Sequence, residues 1–438
     1  MREMKDSGIE WIGEIPLEWE INKIKYMFSN GKGLPITKEN LIDEGLPVIS
    51  YGQIHSKDNN GTKIGKNLLR FVNEKYSMKY PQCSISENDF VFADTSEDYD
   101  GCGNCVLKRD NSKVFAGYHT IILHSLLKRD NRFLAYLFKT DIWRKQIREK
   151  ASGVKVFSIT QKTLMNCKVI LPGYNEEKII ANYLDTQCSE IDATAEDIQK
   201  EISLLEDYKK SVITEAVTKG LNPDAEMKDS GVKWIGEIPV NWQAVNPRWL
   251  FAQRKDRAKK GMEQYTASQK YGVISQKDYM NRIGGSIVTV QKDFDILKMV
   301  CEGDFVIHMR SFQGGLEYSE HTGSISSAYV MLIPQKNTGE CRYFKWLFKS
   351  ASYINALQST SNLIRDGQAM RYSNFIQIII PYPPLDEQQQ IADFLDTKCS
   401  EIDAIIADKK RQRGILAEYK KSLIYEYVTG KKEVPVHE

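Results

Sequence analysis

The sequence predicts a mixed α+β protein: two globular α/β domains joined by two long antiparallel coiled-coil helices in a pseudo-two-fold circular repeat. Three observations predict it. One phrase occurs near the N-terminus and again mid-chain, a second occurs mid-chain and again near the C-terminus, and a heptad pattern runs through each copy of the second phrase. The expected order is a globular domain (1–172), a central long helix (173–222), a second globular domain (223–382) and a C-terminal long helix (383–438).

The repeat is circular. "MKDSGIEWIGEIP" begins at Met4 and "MKDSGVKWIGEIP" at Met227, whereas "IANYLDTQCSEIDA" begins at Ile180 and "IADFLDTKCSEIDA" at Ile391. Mid-chain the second phrase runs on into the first, and each terminus carries one part of this unit. We therefore expect an approximate two-fold axis between the halves, two termini close together in space, and two equivalent docking surfaces.

The regions between the repeated phrases are diverged copies of one domain. "ENDFV" from Glu87 resembles "EGDFV" from Glu302, and "FLAYLFK" from Phe133 resembles "YFKWLFK" from Tyr343. The weaker similarity indicates that the two globular domains share a fold and differ in surface side chains.

Each second phrase opens a predicted long helix. From Glu176 to about Thr218 there is no proline or glycine, which predicts a helix of roughly 60 Å. Its coiled-coil seam alternates steps of four and three residues, at Leu184, Cys188, Ile191, Ala195, Ile198, Ile202 and Leu205. The second copy keeps Leu395, Cys399, Ile402 and Ile406, and then places Lys409 and Arg413 on the seam.

The centres of the two helices carry opposite charge. The first is acidic, at Glu196, Asp197, Glu201, Glu206 and Asp207, and the second reads "DKKRQRG" up to Gly414. Antiparallel packing would place the acidic centre against the basic one. The alternative is that these charges only solvate exposed faces, since exposed ion pairs contribute little.

Composition leaves the partner class open. The 60 Lys and Arg residues nearly balance the 58 Asp and Glu residues, so the net charge of +2 neither supports nor excludes nucleic-acid binding. The charged N-terminus has no apolar core of a signal peptide, and no apolar run approaches the ~18 residues of a membrane span. We expect a cytoplasmic protein, with no membrane partner and its eight scattered cysteines reduced.

The repeated motifs resemble a known family. "WIGEIPLEWEINKIKYMF", "WIGEIPVNW", "YPPLDEQQQIADFLDTKCSEIDA" and "EYKKSLIYEYVTGKK" resemble the conserved regions of the DNA-specificity subunit of type I restriction-modification systems, along the full chain. The resemblance implies two α/β target-recognition domains, each reading one half of a bipartite double-stranded DNA target, with the conserved helices setting their separation. One departure is "LPGYNEEKIIA", where the second copy has "PPLDEQQQIA".

The resemblance also implies the partners. Two modification methyltransferase subunits would dock on the repeated regions and methylate adenine with S-adenosylmethionine, and two restriction subunits would supply ATP-driven translocation and cleavage. S-adenosylmethionine, ATP and Mg would then act only through these partners, and the chain itself would carry no cofactor and no resident metal.

No catalytic motif emerges from the residues. A P-loop is absent, and "YPPL" at Tyr382 has an aromatic ring where an adenine methyltransferase needs an Asp or Asn. No Ser or Cys lies in a nucleophile motif. We predict a non-catalytic chain; the rival interpretations are a coiled-coil protein-interaction adaptor and a self-contained DNA methyltransferase or nuclease.

A zinc-finger spacing occurs in the first domain. Cys102, Cys105, His119 and His124 have the spacing of a two-Cys two-His finger. However, "YHTIILHSLL" reads as a strand, in which residues five apart point to opposite faces. We interpret the four residues as core or loop residues.

Candidate DNA-binding residues lie in polar, basic segments, since bases are read by side chains with paired donors and phosphates by positive charge. In the first domain they are Tyr51, Gln53, Lys57, Lys63 and Lys66. In the second they are Arg254, Lys255, Arg257, Lys259 and Lys260 for phosphates, Arg310 and Gln313 for bases, and Arg365, Gln368 and Arg371 in a further turn. The alternative for any one of them is an ordinary solvated turn.

Overall fold

The structure, a computed structural model, describes residues 2–127, 129–285, 296–360 and 370–435. The chain forms two compact units. Unit 1 consists of Met1–Asp197 together with Gln412–Glu438, and unit 2 consists of Ile198–Arg411. The C-terminal segment therefore completes the N-terminal unit, as a circular repeat requires.

Unit 1 is built from short strands and helices. Its strands are β1 (Met4–Asp6), β2 (Glu14–Pro16), β3 (Glu20–Lys23), β4 (Phe28–Lys32), β5 (Leu46–Ile49), β6 (Arg70–Val72), β7 (Ser84–Ile85), β8 (Phe90–Ala93), β9 (Thr95–Ser96), β10 (Cys105–Leu107), β11 (Val114–Ala116), β12 (Thr120–Ser125), β13 (Phe157–Ser158) and β14 (Lys168–Leu171). Its short helices are α1 (Tyr51–Ile54), α2 (Lys75–Lys79), α3 (Arg132–Lys139), α4 (Asp141–Arg148) and α5 (Gln161–Met165). Single 3₁₀ turns cover Ile24–Tyr26, Lys38–Asn40, Lys66–Leu68 and Pro81–Cys83.

The central sheet of unit 1 is antiparallel, in the order β4-β12-β8-β10. β8 is buried along its whole length because both faces of the sheet are covered. Phe90 and Phe92 belong to the larger core, which includes α3, whereas Val91 and Ala93 belong to a second core on the other side. The alternation follows from the period of two along a strand. A second sheet, β6-β5-β11-β7, covers that other side.

The first long helix, α6 (Tyr174–Lys219), contributes its first part to unit 1 and the rest to unit 2. The strands of unit 2 are β15 (Met227–Asp229), β16 (Glu237–Pro239), β17 (Gln243–Val245), β18 (Phe251–Gln253), β19 (Tyr265–Ser268), β20 (Gly272–Ser275), β21 (Lys298–Val300), β22 (Phe305–Ile307), β23 (Glu317–Tyr318), β24 (Gly323–Ile325), β25 (Val330–Pro334) and β26 (Ile380–Tyr382). Its helices are α7 (Gln276–Ile283), α8 (Ser311–Gly314), α9 (Cys341–Leu347), α10 (Ala351–Ser359), α11 (Tyr372–Phe375) and the second long helix, α12 (Leu385–Val428), with a 3₁₀ turn at Pro247–Trp249.

The two units share one fold. The central sheet of unit 2 is antiparallel in the order β18-β25-β22-β23, so "EGDFV" forms the strand that "ENDFV" forms in unit 1. The β1–β2 hairpin recurs as β15–β16, and the β3–β14 pair recurs as β17–β26. The prediction that the variable regions are diverged copies of one domain is confirmed.

The long helices have the predicted seam. Leu184, Cys188 and Ile191 are buried in unit 1, and the seam residues buried in unit 2 are Ile198, Ile202, Leu395, Cys399, Ile402 and Ile406. Gly220, with φ of 77°, follows the last residue of α6, a position where a residue without Cβ is favoured. The prolines before α12 suit the entry to a helix.

The helices pack antiparallel within each unit. In unit 1, Tyr183 contacts Tyr427 while Asp192 bonds Lys420. In unit 2, Glu201 pairs with Lys409, Glu206 with Lys410, and Asp403 with Lys209. The predicted pairing of the acidic centre of the first helix with the basic centre of the second is therefore confirmed for Glu201 and Glu206.

The described chain ends meet in unit 1. Arg2 and Met4 line the same cavity as Lys431, Lys432 and Glu433. Their proximity confirms the prediction drawn from the circular repeat. In the described part of the chain, every helix is too short or too polar to cross a membrane.

Candidate nucleic-acid interface

Tyr51 in unit 1 and Arg310 in unit 2, two of the sequence-predicted residues, lie at the same end of their central sheets. In unit 1 the ring of Tyr51 lies 5.5 Å from that of Tyr118 and 5.4 Å from that of His119, directly before β12 begins. In unit 2, Arg310 follows the end of β22, the strand equivalent to β8. Because neighbouring strands are antiparallel, the start of β12 and the end of β8 lie at the same end of the sheet. The two candidate surfaces are thus equivalent in the repeat.

The unit 1 loop divides its side chains between structure and surface. Gln53 accepts a hydrogen bond from Ser50 N at 3.2 Å and caps α1, and Asn59 donates to the carbonyls of Ile54 and Cys105. Lys57, Lys63 and Lys66 are exposed. The amides therefore hold the loop in shape, whereas the lysines present positive charge to solvent.

Two further side chains at this end of the sheet, Tyr118 and His119, were not among the predicted DNA-binding residues. His119 has a left-handed backbone, with φ of 54°, and its Nδ1 lies 3.3 Å from Asp94 Oδ1. His119 is exposed, and Tyr118 is half-buried beside Tyr51. The signal in the sequence is "YHT", whose Thr120 opens a buried strand, although the sequence suggests only a metal-ligand spacing for His119.

The zinc-finger spacing does not assemble a site. Cys102 and Cys105 are buried, His124 Nδ1 lies 2.8 Å from Asp89, and His119 pairs with Asp94. Burial raises the pKa of the Cys105 thiol to about 12, which disfavours the thiolate that zinc binds. Among the residues that the structure describes, no three potential ligands cluster.

One residue of the basic cluster of unit 2, Arg254, forms an ion pair within the fold. Arg254 donates from Nε to Asp304 Oδ2 at 2.7 Å and from a terminal nitrogen to Oδ1 at 2.9 Å, and these hydrogen bonds raise the pKa of Arg254. Asp304 is buried, so this pair anchors the end of β18 beside β22. Lys255, Arg257, Lys259 and Lys260 are exposed. Phosphate binding by this cluster stays a prediction.

Arg310 and Gln313 are exposed on the short segment around α8. Gln269, which sequence reasoning did not select, donates from Nε2 to the Arg310 carbonyl at 2.9 Å. Gly315 closes the turn with φ of 76°, and a Cβ there would lie 1.9 Å from the Phe348 carbonyl oxygen. A glycine is therefore required at this position. Arg371 is exposed before α11, whereas Arg365 and Gln368 lie outside the described residues.

The repeated phrases place equivalent residues in equivalent contacts. Trp19 Nε1 donates to Glu176 at 3.1 Å in unit 1, and Trp242 Nε1 donates to Glu387 at 2.6 Å in unit 2. The departure between the two phrases leaves this contact intact in both. It alters the neighbouring surface, where Tyr174 and Leu385 are exposed at equivalent positions.

Exposed apolar side chains also recur at equivalent positions. Tyr26 is 63% exposed and Trp249 is 64% exposed, each with a cation stacked on its ring, Lys25 at 4.9 Å and Arg248 at 5.3 Å. The other exposed pairs are Leu17 with Val240, Leu204 with Ile415, and Tyr208 with Tyr419. Large apolar side chains exposed together often mark binding surfaces.

Comparison with known proteins identifies one family. The family described as the type I restriction modification DNA specificity domain matches residues 16–204 and 239–412. A Methanocaldococcus jannaschii protein assigned as the type I restriction enzyme MjaX specificity subunit is 25% identical over 97% of this chain and 96% of its own length. The EcoKI specificity subunit of Escherichia coli is 20% identical over 86% of this chain and 82% of its own.

Two solved structures share the fold. One, from work on complex assembly and conformational transition of the type I R-M system, has a TM-score of 0.69 at 15% identity and covers 95% of this chain and 99% of its own. The HsdS subunit of Thermoanaerobacter tengcongensis has a TM-score of 0.51 at 15% identity, over 95% of this chain and 98% of its own.

Proposed function

Because the chain belongs to the type I restriction-modification DNA specificity family, we propose that it reads a bipartite double-stranded DNA target and docks two methyltransferase subunits. Its relatives are named as specificity subunits of type I restriction enzymes, and the chain is likewise a recognition subunit, not a catalytic one. Each unit would read one half of the target.

Bipartite reading is supported by the duplicated fold with different loops. Unit 1 offers Tyr51 at one end of its central sheet and exposed Lys57, Lys63 and Lys66 in the segment that follows it, whereas unit 2 offers Arg310 and Gln313 at the equivalent end. Lysines contact phosphates without reading sequence, and Arg and Gln can make paired hydrogen bonds to bases. Two domains that share one fold but carry different exposed polar residues suit two DNA half-sites of different sequence.

Docking of two identical partners is supported by the recurring exposed residues, and this observation carries the proposal. Tyr26 and Trp249, like Tyr208 and Tyr419, hold nearly the same exposure in both units although each surface could have diverged independently. Aromatic side chains with a neighbouring cation are typical anchors of protein interfaces. A surface that recurs in both units suits a partner that binds in two copies.

The chemistry would be divided between subunits. Methyl transfer from S-adenosylmethionine would belong to the docked methyltransferases, and ATP-dependent and Mg-dependent steps to two restriction subunits. The specificity subunit would supply position: it holds an adenine in each half-site where a methyltransferase can take it out of the helix.

The test is methylome sequencing of a methylation-free host that expresses the chain with its methyltransferase, beside a host with the methyltransferase alone. We expect a methylated adenine motif with two defined halves around an unspecified spacer, present only with the chain. R310A should relax or abolish one half and leave the other, because Arg310 lies in unit 2 alone.

The matched control is K57A in unit 1, which should weaken binding uniformly across sequences and lower its salt dependence, since a phosphate contact carries no base information. If no bipartite motif appears although the two proteins copurify, the proposal fails, and the chain acts as an interaction adaptor without reading DNA.

A further inference from the structure

Unit 1 contains a polar cavity between its globular domain and the long helices. The cavity has a volume of about 340 Å³. Its charged lining consists of Lys63, Arg109, Lys139, Lys420, Asp185 and Asp192. Four cations therefore face two carboxylates, so the cavity carries an excess of positive charge.

Both carboxylates already have partners. Asp185 accepts from Arg109 at 3.0 Å and from Arg132 at 2.8 Å, and Tyr136 donates to its other oxygen at 2.8 Å. Asp192 accepts from Lys420 at 2.6 Å. The carboxylates are thus neutralised from within the fold, and they repel an incoming anion only weakly.

Lys139 has no such partner. It is the last residue of α3, and its Nζ makes no hydrogen bond or ion pair with any of the described residues. Burial and the neighbouring Lys420 lower the pKa of Lys139 to about 8. A partly buried ammonium group without a counter-charge is costly, and a second unpaired amine, that of exposed Lys63, lies on the same cavity.

The equivalent lysine of unit 2 does have a carboxylate partner. Lys349 is the equivalent residue in unit 2, at the end of the "YFKWLFK" phrase, and it also lines a cavity, of about 290 Å³, which lies away from the long helices. Its Nζ donates to Glu317 and to the Gly314 carbonyl. Glu317 pairs with Val306 across β22 and β23, and in unit 1 the same register places Val106 opposite Val91.

We propose that the unit 1 cavity is a binding site for a small phosphate-bearing ligand, whose oxyanion meets Lys139 as the Glu317 carboxylate meets Lys349. Phosphate fits the cation excess better than a single carboxylate does, because it brings up to two charges and several acceptors. Lys63 would close on the ligand from the loop side. The site lies against the long helices and requires no DNA and no partner subunit.

The experiment is competitive labelling of the full-length chain with an amine-reactive reagent near pH 8, read by peptide mass spectrometry. An unprotonated amine reacts, and a phosphate ion at Lys139 stabilises the protonated form. We expect labelling of Lys139 to fall by about tenfold once inorganic phosphate or pyrophosphate reaches about ten times its dissociation constant. Chloride at matched ionic strength should not protect.

Two variants keep the result specific. K139Q should abolish the rise in thermal unfolding temperature that pyrophosphate gives the parent chain. E317Q removes the internal carboxylate from Lys349 and should make that lysine phosphate-protected as well. A chain whose Lys139 labelling is unchanged by phosphate and pyrophosphate overturns the proposal, as does protection by a DNA duplex but by neither phosphate.

Discussion

The indole of Trp19 donates to the carboxylate of Glu176 at 3.1 Å, and Trp242 makes the equivalent bond to Glu387 at 2.6 Å. Both tryptophans are fully buried. Each tryptophan lies three residues after a copy of the first phrase, and each glutamate lies in the first turn of a long helix, four residues before a copy of the second phrase. The bond therefore joins the segments next to the two repeated phrases, which are far apart in the sequence.

We predict that W242F lowers the free energy of unfolding of unit 2 by about 2 kcal/mol, because it leaves Glu387 Oε2 without its donor and removes ring atoms from a packed site. Urea unfolding followed by circular dichroism measures the loss. E387Q is the matched control: it keeps an acceptor oxygen for Trp242 and should cost clearly less. Equal losses would contradict this account, because E387Q leaves the Trp242 ring packed and would then act through the charge of Glu387 alone.

The charged helix centres give a second prediction. K409E should destabilise unit 2 by about 1 kcal/mol, since it places two carboxylates where Lys409 now pairs with Glu201. The double variant E201K/K409E restores opposite charges and should recover most of the loss. Chemical denaturation of all three variants at low salt measures this coupling. Strictly additive effects would favour the alternative that these charges only solvate the helices.

The exposed aromatic residues should control partner stoichiometry. We predict that Y26A and W249A each remove about 2 kcal/mol or more of binding free energy at one of two methyltransferase sites, as expected for interface anchors. Native mass spectrometry should then show complexes with one methyltransferase in place of two, and the double variant should show none.

Met78 provides the control for this experiment. It is 81% exposed but lies on α2 in a variable region, outside the repeated phrases. M78A should leave both methyltransferases bound. If W249A retains two partners with unchanged affinity, the recurring aromatic residues are not the docking anchors.

Lys139 makes the stability of unit 1 depend on pH. Its folded pKa of about 8 lies below its ordinary value of 10.5, so between these values the unfolded chain binds more protons than the folded chain. The free energy of unfolding of the parent should therefore rise relative to K139M from pH 8 to about 10.5, by at most about 1.4 kcal/mol per pH unit. Urea titrations across this range measure the difference.

K63M removes an exposed lysine from the same cavity and should follow the parent profile. A parent and a K139M variant with parallel profiles would show that Lys139 titrates as an exposed amine does. That result would also remove one support for the phosphate site, although the labelling experiment would still decide it.

The architecture was largely predictable because the chain repeats itself. A long heptad pattern without proline or glycine predicted α6, and its second copy, which contains Gly414, predicted α12. The buried strand of "ENDFV" recurred in "EGDFV". Periodicity is a local property that the sequence carries directly. Several spaced motifs in a fixed order then identified the family, which a single heptad stretch could not have done.

The candidate site was less predictable because exposure and pairing depend on distant residues. Arg254 looked like a free cation in the sequence, yet Asp304 holds it. Gln53 looked like a base-reading amide, yet it caps α1. A polar side chain can bond either its own fold or a ligand, and composition does not distinguish the two.

The sequence by itself determined the duplication, the helix seam and the family, since each is written as a pattern of residue types along the chain. Only the tertiary structure decided which charges are neutralised within the fold and which remain available. Lys139 and Lys349 end the same phrase, but a strand residue from elsewhere in the chain, Val106 or Glu317, determines whether the ammonium group has a partner. Electrostatic pairing acts through distance in space, and distance is fixed only when the strands and helices pack.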